Sequence, residues 1–156
     1  MPEPATTRTA GRTTADRTLV IERTFAAPPD RVFRAWTDPA TLAKWWGPEG
    51  FTTPECKMDV QPGGKYRTTM VSPTGESHTC SGVYREVVPA KRLVFTWAWE
   101  ENGKRGHETE VTVTFEPTAG GTKMHFVQAV FDSAEQRDNH SQGWASSFND
   151  LARVLA

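Results

Sequence analysis

Between Phe51 and Phe131 the chain is cut into short β-branched and aromatic runs by breaks too short to hold a helix. The breaks are Pro62-Gly63-Gly64, Ser72-Pro73-Thr74-Gly75, Pro89-Ala90-Lys91, Asn102-Gly103 and Ala119-Gly120-Gly121. Parallel neighbours need crossovers of a dozen or more residues, so breaks this short force consecutive strands to pair antiparallel. Strands are predicted near 53–59, 64–71, 78–88, 92–99, 107–116 and 122–131. Along 93–99, Leu93, Phe95, Trp97 and Trp99 alternate with Val94, Thr96 and Ala98; along 110–115, Val111, Val113 and Phe115 alternate with Glu110, Thr112 and Thr114. Such alternation predicts a sheet with one packed face and one wetter face.

The segments around this meander have other periods. Residues 18–25 (TLVIERTF) read as one more strand. Pro28-Pro29 then opens a helix with Val32, Phe33 and Trp36 on one face. Asp38-Pro39 opens a second, since Asp caps well and Pro suits the first turn. Leu42, Trp45 and Trp46 follow at helical spacing, and Gly47-Pro48 stops the helix. Adjacent on one helix, Trp45 and Trp46 are not expected to be equally buried; which of them shapes a pocket is left open. The last element starts at the capping-box pattern Ser133-Ala134-Glu135-Gln136 and runs to about Leu155, with Trp144, Phe148, Leu151 and Leu155 as its apolar stripe. Its first half is strongly polar. Gly143 in its middle costs about 1 kcal/mol relative to Ala, which suggests a close approach to the backbone there.

These elements make an α+β domain: seven antiparallel strands, two short helices and a long C-terminal helix on one face of the sheet. Seven twisted strands curve. A helix across the concave face leaves a concavity to be filled by side chains or by an apolar ligand.

The chain has 156 residues, enough for one domain without a disulfide or metal staple. Lys and Arg number 18 against 19 Asp and Glu, a balance that argues against a nucleic-acid partner. No apolar run approaches the roughly 20 residues of a membrane span, and the N-terminus lacks the apolar core of a secretory signal, so the expected location is the cytoplasm. Residues 1–16 offer almost nothing to bury and are expected to form a disordered tail before a domain at 17–156.

Several stretches carry a resemblance: IERTFAAPPDRVFRAWTDPATLAKWWGPEGF, DVQPGGKYRTTM, GVYREVVPAKRLVFTW, VTVTFEPTAGGTKM and HSQGW. The most specific piece runs from Asp38 through Trp45-Trp46-Gly47-Pro48. Together the stretches, spanning about 18–155, resemble the bacterial single-domain members of the activator of heat-shock-protein-90 ATPase-like family, within the SRPBCC superfamily of START-like and birch-pollen-allergen-like folds. The resemblance implies a helix-grip fold enclosing a cavity. It implies no catalytic residue set and no cofactor, while the family's name points to chaperone-related, stress-response biology.

If the concavity is a binding site, the inward faces nominate its wall. On 64–70 these are Tyr66 and Met70; on the following strands Trp97, Phe115, Met124, Phe126 and Gln128; on the helices Trp46, His140, Trp144 and Phe148. Gln128 has two open placements: an orienting polar group among apolar ones, or a wet residue beyond a bulge. His140 lies one turn before Trp144 on the same face and reaches the pocket mouth or solvent. His78, His107, His125 and His140 show no metal-ligand spacing. Cys56 and Cys80 sit two strands apart, about 9.6 Å, so free thiols are expected.

The leading reading is binding or sequestration of a small hydrophobic molecule. A cyclase- or hydrolase-type enzyme of the superfamily is the alternative, with His140, Glu86 or Gln128 as the visible ionisable or polar candidates. A module binding a chaperone client, or a second copy of itself, would instead show a large exposed apolar patch. Because the tail carries no apolar face, a chain beginning at Arg17 should melt within a few degrees of the full chain in a calorimetric scan.

Overall fold

The computed structural model describes residues 15–156. The expected tail falls outside the described residues apart from Ala15 and Asp16, which form a 3-10 turn with Arg17. The elements that follow are β1 Leu19–Phe25, α1 Pro29–Thr37, α2 Pro39–Leu42, β2 Thr52–Met58, β3 Lys65–Val71, β4 Ser77–Val88, β5 Arg92–Glu101, β6 Lys104–Arg105, β7 Thr109–Thr118, β8 Gly121–Ala129 and α3 Ala134–Leu155.

The strands form one antiparallel sheet in the order β1-β8-β7-β5-β4-β3-β2. Each short break turns a hairpin, as expected. The chain's first strand returns to pair with its last, Leu19 opposite Gln128 and Phe25 opposite Thr122. One strand is additional to the seven expected: the two-residue β6 pairs with the end of β5. Its turn, Asn102-Gly103, has positive φ at both residues (53° and 79°), the backbone that a tight hairpin needs and that Asn-Gly tolerates.

Local chemistry sets the helix ends. Asp38 accepts hydrogen bonds from the Thr41 N–H at 3.1 Å and the Thr41 hydroxyl at 2.6 Å, opening α2 with Pro39 in its first turn. Ser133 Oγ accepts from the Gln136 N–H at 3.1 Å and opens α3. However, α2 lasts only to Leu42; 43–45 continue as a turn and 46 begins a bend. That early exit corrects the expectation for the adjacent tryptophans. Off a regular helix, Trp45 and Trp46 need not face opposite ways, and both are buried. Trp45 donates its indole N–H to the Ala35 carbonyl at 2.9 Å, tying the turn to α1.

The wet outer face also needs correction on β5. Val94, Thr96 and Ala98 point outward and are nonetheless buried. This strand is central, flanked by β4 and β7; the Arg85–Glu110 pair reaches across it between those neighbours, and Arg92 at its own start pairs with Glu86 of β4. On the inner face, Gly82 permits a close crossing. A Cβ there would stand 1.8 Å from the Thr96 carbonyl oxygen and 2.8 Å from the Tyr66 ring. Tyr66 uses that space to donate its hydroxyl to the same carbonyl at 2.6 Å.

The concavity is filled largely by one side chain. Trp36, on α1, has ring neighbours from every layer: Trp45 at 4.7 Å, Trp144 at 6.0 Å, Phe148 at 6.1 Å, Phe95 at 6.2 Å, Phe126 at 6.3 Å and Trp46 at 6.4 Å. Only about 10 Å³ stays open beside it, between Leu42, Tyr66, Tyr84 and Leu93. The Trp36 indole N–H has no hydrogen-bond partner, so the residue contributes through volume and ring contact. Trp36→Ala should therefore lower stability by about 3–5 kcal/mol, read as a reduced denaturant midpoint.

Candidate functional site

Because Trp36 fills the centre, the open volume lies at one end of the concavity, where α3 is polar. The wall opposite α3 is the loop after Trp46. Gly47 turns it with φ +94°, and a Cβ there would press on Met70 Sδ at 3.0 Å. Glu49 pins the loop to α3. Its N–H donates to Ser146 Oγ at 2.8 Å, and its carboxylate accepts from Asn149 at 3.2 Å and from Arg153 at 2.5 Å. Those hydrogen bonds, Arg153's first, hold the Glu49 carboxyl below the usual carboxylate range. The floor is made by Met70 of β3, Ser77–Cys80 of β4, and Trp97, Trp99, Glu100 and Glu101 of β5; the far wall is α3 from Gln136 to Ser147.

These parts enclose about 720 Å³, open to solvent along one side. The volume suits a small organic ligand. Trp46, Trp97, Trp99 and Trp144 stand in its wall, together with Phe51, Met70, His78 and His140. A side lobe of about 530 Å³ continues past Trp99 and His140 toward Phe131, Lys104 and Arg105. The site is thus an open cleft rather than an enclosed cavity.

Of the nominated residues, Trp46, Met70, Trp97, His140 and Trp144 come together in the cleft. Tyr66, Phe115, Met124, Phe126 and Phe148 do not; they face inward but are packed in the filled part of the core. Gln128 is fully buried on the inner face, so of its two placements the inward one is found. Yet it does not face the cleft. Its amide donates to Thr109 Oγ1 at 2.9 Å, and its carbonyl oxygen accepts from the Trp144 indole at 2.8 Å. It is a structural bridge between sheet and helix, with its amide nitrogen and its carbonyl oxygen both engaged. Glu86 lies on the outer face in its pair with Arg92.

Trp99, Phe51, His78, Cys80 and Gly143 also line the cleft and were not nominated. Trp99 continues the alternation that places Trp97, a signal visible in the sequence. Gly143 has no close neighbour: a Cβ would meet only Pro48 Cγ, at 3.9 Å. The helix is bare there because it borders the cleft, which replaces the expected close approach.

His140 is half-buried against aromatic rings, with Trp97 at 4.8 Å and Phe131 at 4.9 Å. Trp99 donates its indole N–H to His140 Nε2 at 3.3 Å. Burial pushes the imidazole pKa down to about 4. Cys56 and Cys80 are free thiols, opposite Thr68 on either side of β3. Burial pushes the Cys80 thiol up to about 12, far from a reactive thiolate. Among the described residues no group of His, Cys, Asp and Glu could hold a metal ion, and no helix is long and apolar enough to cross a membrane.

A curved antiparallel sheet gripping one long C-terminal helix, with two short helices after the first strand, defines a helix-grip protein. The chain belongs to the family described as Activator of Hsp90 ATPase homolog 1-like protein, whose model matches residues 26–156. Among solved structures it is similar to a protein from Chromobacterium violaceum, with 34% identity, a TM-score of 0.80, and 89% of this chain and 96% of that one covered. An AHSA1 protein from Silicibacter pomeroyi is 33% identical with a TM-score of 0.81, covering 88% of this chain and 96% of that one. A protein from Rhizobium leguminosarum is 32% identical with a TM-score of 0.76, covering 88% and 93%. No curated protein matches the chain.

The His140 environment has a pH consequence. Its folded pKa is depressed to about 4 from the ordinary 6.5. As pH falls below 6.5 the unfolded chain takes up this proton first, so stability present above 6.5 is lost progressively down to about 4. Between about pH 7 and pH 5 the group should remove about 1–2 kcal/mol. His140→Phe should lose less over that interval, as measured by urea midpoints at the two pH values.

Proposed function

We propose that the protein binds or sequesters a small, largely apolar molecule in the cleft between α3 and the β3–β5 floor. The observation that carries this reading is the division of the concavity. One end is filled by Trp36 and its ring neighbours, while the other holds about 720 Å³ walled by four of the six tryptophans. Large aromatic side chains beside open volume offer contact area that neither water nor the protein uses, and that is what an apolar ligand recovers.

The ionisable groups of the cleft support binding over chemistry. A thiol pushed up to about 12 is a poor nucleophile, and an imidazole with a pKa of about 4 is a weak general base at neutral pH. The surface supports a small ligand over a protein client. Among the described residues the exposed large apolar side chains are Val20 and Val88, on separate strands, too few for a patch.

Gly143 supplies the test, since a side chain added there projects beside the cleft with only Pro48 near. An uncharged polarity-sensitive dye should bind the wild type in the micromolar range, seen in the dye's own emission. Gly143→Leu should weaken binding at least tenfold. Its melting temperature should not fall, because Leu is the better helix former. Equal dye affinity in a folded Gly143→Leu protein would place the dye elsewhere and remove this reading.

A further inference from the structure

The cleft's most constrained polar group is His140, and its chemistry follows from one contact. The indole Nε1–H of Trp99 can only donate. It stands 3.3 Å from His140 Nε2, which must therefore accept and carry no proton. A neutral imidazole has one proton, so it resides on Nδ1. The ring packing agrees, because Trp97 meets the imidazole edge-on and Phe131 lies tilted beside it, apolar surroundings in which burial disfavours its charge. Among the described residues Nδ1 has no hydrogen-bond partner, and it is not among the buried polar atoms left unsatisfied. The Nδ1–H is thus a donor of fixed identity, on a residue that borders both the cleft and the side lobe.

The charges nearby narrow the choice of acceptor. Glu100 and Glu101 are the charged residues of the main cleft; Lys104 and Arg105 line the side lobe and not the main cleft. The Glu100 carboxylate is turned to Arg67 on the other face of the sheet. Glu101 makes no ion pair among the described residues and leaves the mouth slightly acidic. A carboxylate ligand would meet that charge with no guanidinium or ammonium in the main cleft to answer it.

We propose that His140, held by Trp99 as the Nδ1–H tautomer, is the polar anchor of the cleft, which takes a small apolar, ring-containing molecule bearing an uncharged hydrogen-bond acceptor such as a ketone, ester or ether oxygen. This rests on the cleft being a binding site, and deepens it to a ligand class. His140 acts on the ligand directly; Trp99 acts through His140 and is a positioning residue.

Two measurements test it. Long-range ¹H–¹⁵N spectra of the ligand-free protein at neutral pH should show His140 with Nδ1 protonated and Nε2 bare. An Nε2–H tautomer or an imidazolium would overturn the proposal whatever binds. Calorimetric titration should then compare 2-acetylnaphthalene with 2-ethylnaphthalene and 2-naphthoate. The ketone should bind the wild type more tightly than either. The ketone-to-hydrocarbon preference should shrink about tenfold in His140→Phe, the size of one hydrogen bond, and partly in Trp99→Phe, where the tautomer is released. A preference unchanged in His140→Phe, or a tighter naphthoate, would overturn the anchor and leave the cleft standing as a binding site. Binding of none of the three would overturn the site and the anchor together.

Discussion

Everything in this molecule is arranged around the ring of Trp36. A sheet curved around one helix creates a concavity too deep for ordinary aliphatic side chains to fill from both sides. Trp36 enters it from a third direction, on a short helix that the chain makes between its first two strands. It meets rings from α1's own follow-on turn, from β5 and β8, and from α3. Each of these is far from it in sequence or held by its own hydrogen bonds. The packing therefore joins the layers into one cooperative unit.

Filling the middle so completely decides where a ligand can go. The side chains facing inward on β7 and β8 are committed to Trp36 and its neighbours. The end near the polar half of α3 has no such plug. There the boundary between packed and open is kept by polar contacts. Gln128 joins Thr109 to Trp144 at the inner limit. Glu49 joins the Trp46 loop to α3 at the outer one. An aromatic cleft can stay open only if its walls are held apart by bonds that do not need its contents, and these two residues supply them.

Much of the fold was legible because its determinants are local. Asn102-Gly103, Pro62-Gly63-Gly64 and Ser133 act within a few residues of themselves, so strand breaks and helix starts could be read directly. While Gln128 stayed open between an inward and a wet placement, the inward parity of Tyr66, Met124 and Phe126 was legible for the same reason. Whether an inward position faces protein or space was not, because that depends on which distant ring arrives. Phe115 and Phe126 have the pattern of Trp97, yet only Trp97 borders the cleft. The burial of both Trp45 and Trp46 was hidden by a helix that stops one turn early, and the partners of Gln128 lie on two other elements. Trp99 and Gly143 show the reverse: each bore a sequence signal, an alternation in one and a mid-helix glycine in the other, whose meaning appeared only with the cleft.

The density of indoles has an optical consequence. Trp97 and Trp99 lie 4.5 Å apart at 78°, and Trp36 and Trp45 lie 4.7 Å apart at 71°, with Trp46 and Trp144 bridging at 5.2 Å. Chromophores this close do not absorb independently. Their mixed excited states add rotational strength in the far ultraviolet, where it overlays the signals of helix and strand, so circular dichroism of this chain counts indole geometry as well as backbone. Excitation also passes between the rings before it is emitted, and it collects on the indole with the most polar surroundings. That indole is Trp99, the one tryptophan of the six that is not fully buried. The reddest part of the chain's emission is therefore expected from this position, at the rim of its own cleft.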